Sequence, residues 1–271
     1  MALRINLNTA ALNAHRQLQG TDQALGASIE KLSSGFRINR AADDPAGLAI
    51  SENLRAQVAG LGQAISNSGD AVNMIRTAEG ALSEVHTLLR TMRNLALHAA
   101  NTGSNDDTAI NADQAQIDSA LSALDRIANN TQFGTKKLLD GTAVGLEFQI
   151  GANAGQTTTL DIDSVLAADL SINSIDVSSD AQAAITALDG AISTVSTLRA
   201  TLGASQRDLE SNIGSLGVAK ENIAASESSI RDADMALEMV TFTRNQILLQ
   251  AGTAMLTQAN QAPQALLSLL R

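Results

Sequence analysis

Apolar residues recur at seven-residue spacing near the start of the chain. The two interleaved tracks consist of Leu18, Leu25 and Leu32, and of Ile29 and Phe36. Heptad spacing is typical of a helix that packs against another helix. The pattern therefore predicts a first helix over about residues 13–37.

A second helical pattern begins at Asp44-Pro45. Aspartate is a preferred N-cap residue and proline a preferred first helical residue, so this pair predicts a helix start. Apolar residues then recur in one phase through Leu89, and no proline interrupts them, which predicts a single long helix to about Asn101. After a polar turn, the same spacing predicts a third helix at Ile110, Ile117 and Leu124.

The period changes between residues 131 and 179. Residues 146–150 and 158–162 alternate apolar and polar side chains, and the glycine-containing cluster 151–155 separates them. Alternation on both sides of a turn cluster predicts a β-hairpin.

The longest heptad track lies in the C-terminal third. An apolar residue stands at every seventh position from Leu188 to Leu237, which predicts an unbroken coiled-coil-like seam in a helix that begins near Asp180. Apolar residues continue to the C-terminus through Phe242 and Leu248. The predicted fold class is therefore mainly α, an elongated helical bundle with a helix at each end and a small β-hairpin in the middle.

Composition argues against catalysis. The chain of 271 residues has no cysteine and three histidines, which leaves little for a nucleophile or a metal centre. We therefore expect no catalytic residues, no cofactor and no metal. The net charge of -10 argues against nucleic acid as a partner, and no apolar run reaches the roughly 20 residues that span a bilayer, which argues against membrane insertion.

The charged fraction of 17% is low for a soluble domain, for which about 25% is usual. Such a surface can be packed against other chains at little desolvation cost. In the predicted helices at the two ends of the chain, the apolar faces are narrow and rich in alanine. Neither end alone buries enough surface to offset the conformational entropy lost on ordering, about 1–2 kcal/mol per residue. We expect the ends to become ordered only on assembly.

Eight segments stand out as a set, and they are residues 29–39, 43–47, 77–82, 130–134, 149–153, 246–253, 258–264 and 266–271. Together they resemble the corresponding segments of bacterial flagellins. These segments are spread over nearly the whole chain. Little sequence separates the predicted hairpin from the C-terminal helix, so the chain resembles a minimal flagellin that lacks the variable outer domains.

The resemblance implies an inner domain, D0, built from residues 1–43 and 228–271, and a surrounding helical domain, D1, built from residues 44–179 and 180–227. It implies that the terminal helices pair as a coiled coil. The residues expected to pack the filament core are Leu18, Leu25, Ile29, Leu32, Phe36, Leu237, Leu248, Met255 and Leu256.

A connector between D0 and D1 is implied over Ser33 to Gly47. Its expected residues are Gly35, Arg37, Asn39, Arg40, Asp43, Asp44 and Pro45. The two arginines are expected to form local surface ion pairs with the two aspartates, and such pairs stabilise little.

As a function, the resemblance implies a structural subunit that polymerises with itself into the flagellar filament used for swimming. The implied partners are the flagellar export apparatus with its chaperone, and the hook-associated junction and cap proteins. The implied location is extracellular, without a cleaved signal peptide. Two alternatives stay open: a hook–filament junction protein, which shares the terminal helices, and an intracellular coiled-coil adaptor.

Overall fold

The computed structural model describes residues 8–269, with side chains described through residue 261. In this range the chain is mainly α-helical, as predicted. The helices are α1 (Thr9–Ser34), α2 (Pro45–Ala99), α3 (Asp107–Asn130), α4 (Val177–Arg231) and α5 (Met235–Leu269). The strands are β1 (Gln132–Phe133), β2 (Lys136–Lys137), β3 (Leu146–Gln149) and β4 (Thr157–Leu160).

Side-chain caps fix the starts of the helices. The Asp44 carboxylate accepts a hydrogen bond from the backbone N–H of Gly47 at 2.9 Å, and Asp106 accepts one from Ala109 at 2.9 Å. Each cap satisfies a backbone donor that the helix itself leaves free. The predicted long helix is confirmed, because α2 runs without a break for 55 residues.

Helix α4 departs from helical geometry near its start. Asp180 has φ -149° and ψ 84°, and its carboxylate accepts hydrogen bonds from the backbone N–H groups of Gln182 at 3.1 Å and Ala183 at 2.9 Å. Asp180 therefore caps the main length of α4, which is where the sequence predicted the helix to begin.

The prediction of one unbroken seam as far as Leu237 is wrong. Helix α4 ends at Arg231, and the Asp234 carboxylate then caps α5 by accepting hydrogen bonds from the N–H groups of Ala236 and Leu237 at 2.9 and 3.1 Å. The track is buried from Leu188 through Leu209, whereas Leu237 is exposed. The heptad spacing of the sequence therefore continues across two separate helices. The packed face of α4 ends where the chain leaves that helix, before Asp234 caps α5.

The described chain forms two compact units. The first contains the described residues up to Ala56 and those from Asn222 onward, and the second is Gln57–Glu221. The division falls inside α2 and inside α4, so each of these helices contributes to both units.

The core of the second unit forms where the predicted stripes of α2, α3 and α4 are buried together. Its fully buried members include Ile75, Leu82, Leu89, Met92, Ile117, Leu124, Leu188, Val195 and Leu202. Ion pairs join α2 to α4 in antiparallel order, and they are Arg76–Glu210 at 3.0 Å, Glu79–Arg199 at 3.6 Å and Arg93–Asp189 at 2.5 Å.

The predicted β-hairpin is confirmed. Strands β3 and β4 pair antiparallel, with Leu146 opposite Leu160 and Gln149 opposite Thr157. A shorter hairpin, β1–β2, was not predicted. Two residues per strand are too few to show alternation, and only Gly134, at φ +61°, marks its turn.

Two carboxamides hold the turn end of β3 on the helices. Asn67 of α2 donates to the carbonyl of Gln149 at 3.1 Å, and Asn212 of α4 donates to the carbonyl of Ile150 at 3.2 Å. These bonds provide donors for the carbonyls of two consecutive residues at the end of β3. The hairpin is therefore anchored to both long helices.

Replacement of Asn212 by alanine should loosen this anchor. We expect a loss of about 1 kcal/mol in the free energy of unfolding, because a partly buried carbonyl loses its donor. Hydrogen exchange should rise in β3 and β4. The matched control is Asn73→Ala, an exposed asparagine of α2. Equal exchange in both variants would contradict the anchor.

Candidate assembly interface and connector

Helices α1 and α5 pack against each other in antiparallel orientation. The Asn8 side chain at the start of α1 donates to the carbonyl of Ala259 at 2.8 Å. Leu18, further along α1, faces Gly252, where an added Cβ would lie 2.8 Å from the Leu18 Cδ1. A later residue of α1 therefore contacts an earlier residue of α5, which shows that the two helices run in opposite directions.

Uncharged positions that are buried or half-buried recur at a heptad spacing along both helices, and these define the terminal seam. In α1 they are Ala11, Ala14, Leu18, Thr21, Leu25, Ser28 and Leu32. In α5 they are Phe242, Asn245, Leu249, Gly252, Leu256 and Ala259. Small and polar residues alternate with leucine, so the seam brings the helices close together but buries little apolar area. A polar residue in such a seam fixes register at a cost in stability.

The rest of α5 carries an apolar face that α1 does not cover. Leu237, Leu248 and Met255 are 66%, 49% and 64% exposed. Leu248 and Met255 follow Leu237 by 11 and 18 residues, which is about three and five helical turns. The three side chains therefore lie on one side of the helix. Val240 and Ile247 are also exposed beside them. We define these five residues as the outer face of α5. An exposed apolar patch of this kind marks an interaction surface.

The connector after α1 begins with a left-handed residue. Gly35 has φ +75°, and its N–H donates to the Lys31 carbonyl at 2.9 Å, which closes the last turn of α1. The chain then pairs with the break between α4 and α5. The Arg37 N–H donates to the Arg231 carbonyl at 2.7 Å, and the Ala233 N–H donates to the Gly35 carbonyl at 2.9 Å.

Asp43 stabilises the turn before α2. Its carboxylate accepts hydrogen bonds from the backbone N–H groups of Arg40 at 2.9 Å and Asn39 at 3.1 Å. These two bonds, the Arg40 bond being the stronger cause, lower the pKa of Asp43 below its ordinary value. The Asn39 side chain donates in turn to the Ser34 hydroxyl at 2.7 Å.

The expected ion pairs between these arginines and aspartates are wrong. Arg40 pairs with Glu30 of α1 at 2.8 Å. The Arg37 guanidinium donates to the backbone carbonyl of Ile230. Asp43 and Asp44 use their carboxylates on backbone N–H groups instead, because the tight turn brings those donors closer than any guanidinium.

Arg231 joins three segments of the first unit. Its guanidinium lies 4.8 Å from the centroid of the Phe36 ring, a distance typical of a cation–π contact. It also donates to the Glu52 carboxylate of α2 at 2.6 Å, and Arg55 donates to the same oxygen at 3.0 Å. The hydrogen bond from Arg231 is the largest cause that lowers the pKa of Glu52. The last residue of α4 thus ties the connector to α2.

Comparison with known proteins identifies this arrangement. Family models described as the bacterial flagellin N-terminal and C-terminal helical regions match residues 5–144 and 185–270. A flagellin of Halalkalibacterium halodurans is 48% identical over 98% of this chain and 99% of its own length. A flagellin of Bacillus subtilis is 45% identical over 99% of this chain and 100% of its own length. The chain belongs to the bacterial flagellin family.

As a flagellin, the chain is a structural subunit of the flagellar filament. The crystal structure of Bacillus cereus flagellin has a TM-score of 0.51 to it, at 29% identity, and covers 56% of this chain and 88% of its own. Full-length similarity to chains named flagellin favours a filament subunit over a junction protein or an intracellular adaptor.

The predicted packing residues of this flagellin separate into two groups. Those in the terminal seam are Leu18, Leu25, Leu32 and Leu256. Those exposed to solvent are Ile29, Leu237, Leu248 and Met255. Phe36 belongs to neither group, because it lies beside Arg231 in the connector. Their packing in the filament core stays a prediction.

The predicted connector residues of the flagellin lie between α1 and the first residue of α2, Pro45. The sequence missed two of their partners, Glu30 and Arg231, and it also missed Glu52, which pairs with Arg231. Each of these partners lies on another element, and charge alone does not show which pairs will meet.

Within residues 8–269 of the flagellin, no group of three or more histidine, aspartate or glutamate side chains is placed to hold a metal ion. None of the helices described in that range has the length and apolar character needed to cross a membrane. The absence of catalysis stays a prediction. The expected lack of a signal peptide falls mainly on residues 1–7, which lie outside the described range.

Gly47 is required by the cap of α2. It is buried, and an added Cβ would collide with the capping Asp44 carboxylate and lie 2.8 Å from the Ile38 Cδ1. Ile38 is itself almost completely buried, so it has little freedom to move. A side chain at residue 47 therefore displaces either the cap or the connector.

The Gly47→Ala variant tests this packing. Alanine normally stabilises a helix relative to glycine by about 1 kcal/mol. Here we expect the free energy of unfolding to fall by about 1–2 kcal/mol, the cost of a lost N-cap. Chemical denaturation followed by circular dichroism measures it. Gly69→Ala is the control, because an added Cβ there has open space, and it should stabilise the chain. The same sign in both variants would refute the collision.

The connector should weaken in acid. The folded-state pKa values of Asp43 and Glu52 are lowered from ordinary values of 3.8 and 4.5. Their ionised forms therefore add stability above those ordinary values, and it is lost as the pH falls through the lowered ones. Denaturation midpoints of wild type and an Asp43→Asn, Glu52→Gln variant, measured from pH 6 downward, should converge in acid. The exposed Asp22→Asn variant is the control, and parallel curves for wild type and the double variant would count against the linkage.

Proposed function

We propose that this flagellin builds its filament by coupled folding and packing of the terminal helices. Helix α1 pairs with α5 through the terminal seam, and the outer face of α5 packs against neighbouring subunits. The observation that carries the proposal is an exposed apolar face on a helix that is already paired on its other side.

The energetics support assembly as the step that orders the ends. Ordering costs about 1–2 kcal/mol per residue in backbone entropy. The terminal seam is narrow and contains buried Ser28 and Asn245, so it offsets only part of that cost. Each large aliphatic side chain of the outer face adds about 1.5–3 kcal/mol when fully removed from water. That contribution is available only in contact with another subunit.

The proposed domains of the filament subunit correspond to continuous ranges of the sequence. Residues 1–43 and 228–271 form the inner domain D0, residues 44–179 and 180–227 form the surrounding domain D1, and Ser33 to Gly47 connect them. The contacts of Arg231 with Phe36 and Glu52 support this assignment, because they link the end of α4, the connector and α2 at one point.

The proposed partners outside the polymer are the flagellar export apparatus and its chaperone, and the hook-associated junction and cap proteins. The subunit acts outside the cell and catalyses no reaction. A chaperone on the C-terminal helix is supported by the outer face of α5, which is exposed in the single subunit and would otherwise promote premature association.

Truncation tests the role of the ends. We expect chains that lack residues 1–30 or 240–271 to form no filaments in electron micrographs, because each truncation removes most of one side of the terminal seam. Circular dichroism should show that the unit Gln57–Glu221 still folds. Normal filaments from either truncated chain would count decisively against the proposal.

A point variant separates assembly from folding. Leu237→Ser changes a side chain that is exposed in the single subunit, so the free energy of unfolding should stay within about 0.5 kcal/mol. The critical concentration for polymerisation, measured by sedimentation, should rise by about tenfold, equivalent to about 1.4 kcal/mol. Gln246→Ser, at an exposed polar position of α5, is the matched control and should change neither quantity.

A further inference from the structure

The methionines of this chain divide sharply by burial. Met74 and Met92 lie in the core of the second unit and are 3% and 0% exposed. Met235, Met239 and Met255 all lie on α5 and are 46%, 49% and 64% exposed. The remaining methionine is Met1, outside the described residues. Accessible thioethers among the described residues are therefore concentrated on one helix.

One of the three exposed sulfurs belongs to the outer face of α5, and a second lies in a groove that borders this face. Met255 shares the outer face with Leu237 and Leu248. Met239 lines a shallow apolar groove together with Val240 and Ile247. Met235 is the first residue of α5, at the same end as Met239.

We propose that Met239 and Met255 are oxidation sites through which a peroxide controls polymerisation. The inference rests on the proposed function, since it requires that the outer face of α5 be buried between subunits. A thioether is apolar and flexible, whereas a sulfoxide is polar and accepts hydrogen bonds. Oxidation would therefore place unpartnered polar groups in an apolar contact, where their burial is unfavourable.

The chemistry needs only hydrogen peroxide. A lone pair of the methionine sulfur attacks one peroxide oxygen, a sulfur–oxygen bond forms, and the oxygen–oxygen bond breaks. The departing hydroxide takes up the proton of the transferred oxygen and leaves as water. The sulfur is oxidised, the peroxide is reduced, and methionine sulfoxide reductases reverse the product.

The timing of the sensitivity follows from exposure. Subunits that have not yet polymerised present all three sulfurs to solvent, so they are the sensitive form. Packing of the outer face against another subunit covers Met255 in the polymer. It also closes the groove that Met239 lines with Val240 and Ile247, so both sulfurs are protected. Met74 and Met92 are shielded in either form, because the core of the second unit encloses them.

The test treats unpolymerised full-length chain with hydrogen peroxide, maps sulfoxides by peptide mass spectrometry, and measures the critical concentration by sedimentation. We expect Met235, Met239 and Met255 to oxidise before Met74 and Met92, and the critical concentration to rise by about tenfold or more. Treatment with methionine sulfoxide reductases should restore the original value.

Leucine substitution supplies the matched variants, because leucine conserves methionine's size and apolar character. The variant M235L, M239L, M255L retains Met1 and should polymerise equally well before and after peroxide. The variant M74L, M92L should remain as sensitive as wild type. If peroxide abolishes polymerisation of the triple variant, the inference is overturned. The same holds if the loss of polymerisation is traced to oxidation of Met1.

The outcomes separate the inference from the proposed function. Untreated wild type that fails to polymerise contradicts the proposed function, and the inference falls with it. Wild type that carries the three sulfoxides and polymerises at its original critical concentration overturns the inference alone. Oxidation of Met74 or Met92 at the rate of the α5 methionines overturns it as well.

Discussion

The constraint on which this subunit depends is the narrowness of the seam between its two ends. Helices α1 and α5 meet through leucines separated by alanine, glycine, serine and threonine, with Asn245 buried among them. Such a contact sets register and allows close approach, but it removes little apolar surface from water. The apolar side chains that could add stability point away from the partner helix. Stability at the ends is therefore tied to a second surface, that of another subunit.

The connector solves a different problem, the satisfaction of backbone groups where four helices begin or end. Asp43, Asp44 and Asp234 each bind backbone N–H groups, and Arg37 binds a backbone carbonyl. Charged side chains used in this way specify a turn more strictly than surface ion pairs do, because the donors have fixed positions. The dense capping and the buried Gly47 and Ile38 make the connector a well-defined turn.

Much of the fold follows from local patterns. The starts of α2 and α4 were predictable from Asp44-Pro45 and Asp180, and the β3–β4 hairpin from its alternation, because caps and alternation act over a few residues. The shorter β1–β2 hairpin escaped prediction, since its strands are too short to carry a period. The break at Asp232–Asp234 was also missed, because the heptad track of α4 continues in phase into α5 although Asp234 caps the start of a separate helix.

The sequence by itself determined the helical class, the order of α1, α2, α3 and the β3–β4 hairpin, the apolar positions that become the core, and the family, because each depends on residue spacing and on local motifs. The tertiary structure decided which apolar side chains pack within the subunit and which remain exposed to solvent. Leu256 enters the terminal seam while Met255, its neighbour, faces solvent. It also decided that Arg231 meets Glu52, 179 positions away. Such choices depend on the rotation of whole helices about their axes, which only packing in three dimensions sets.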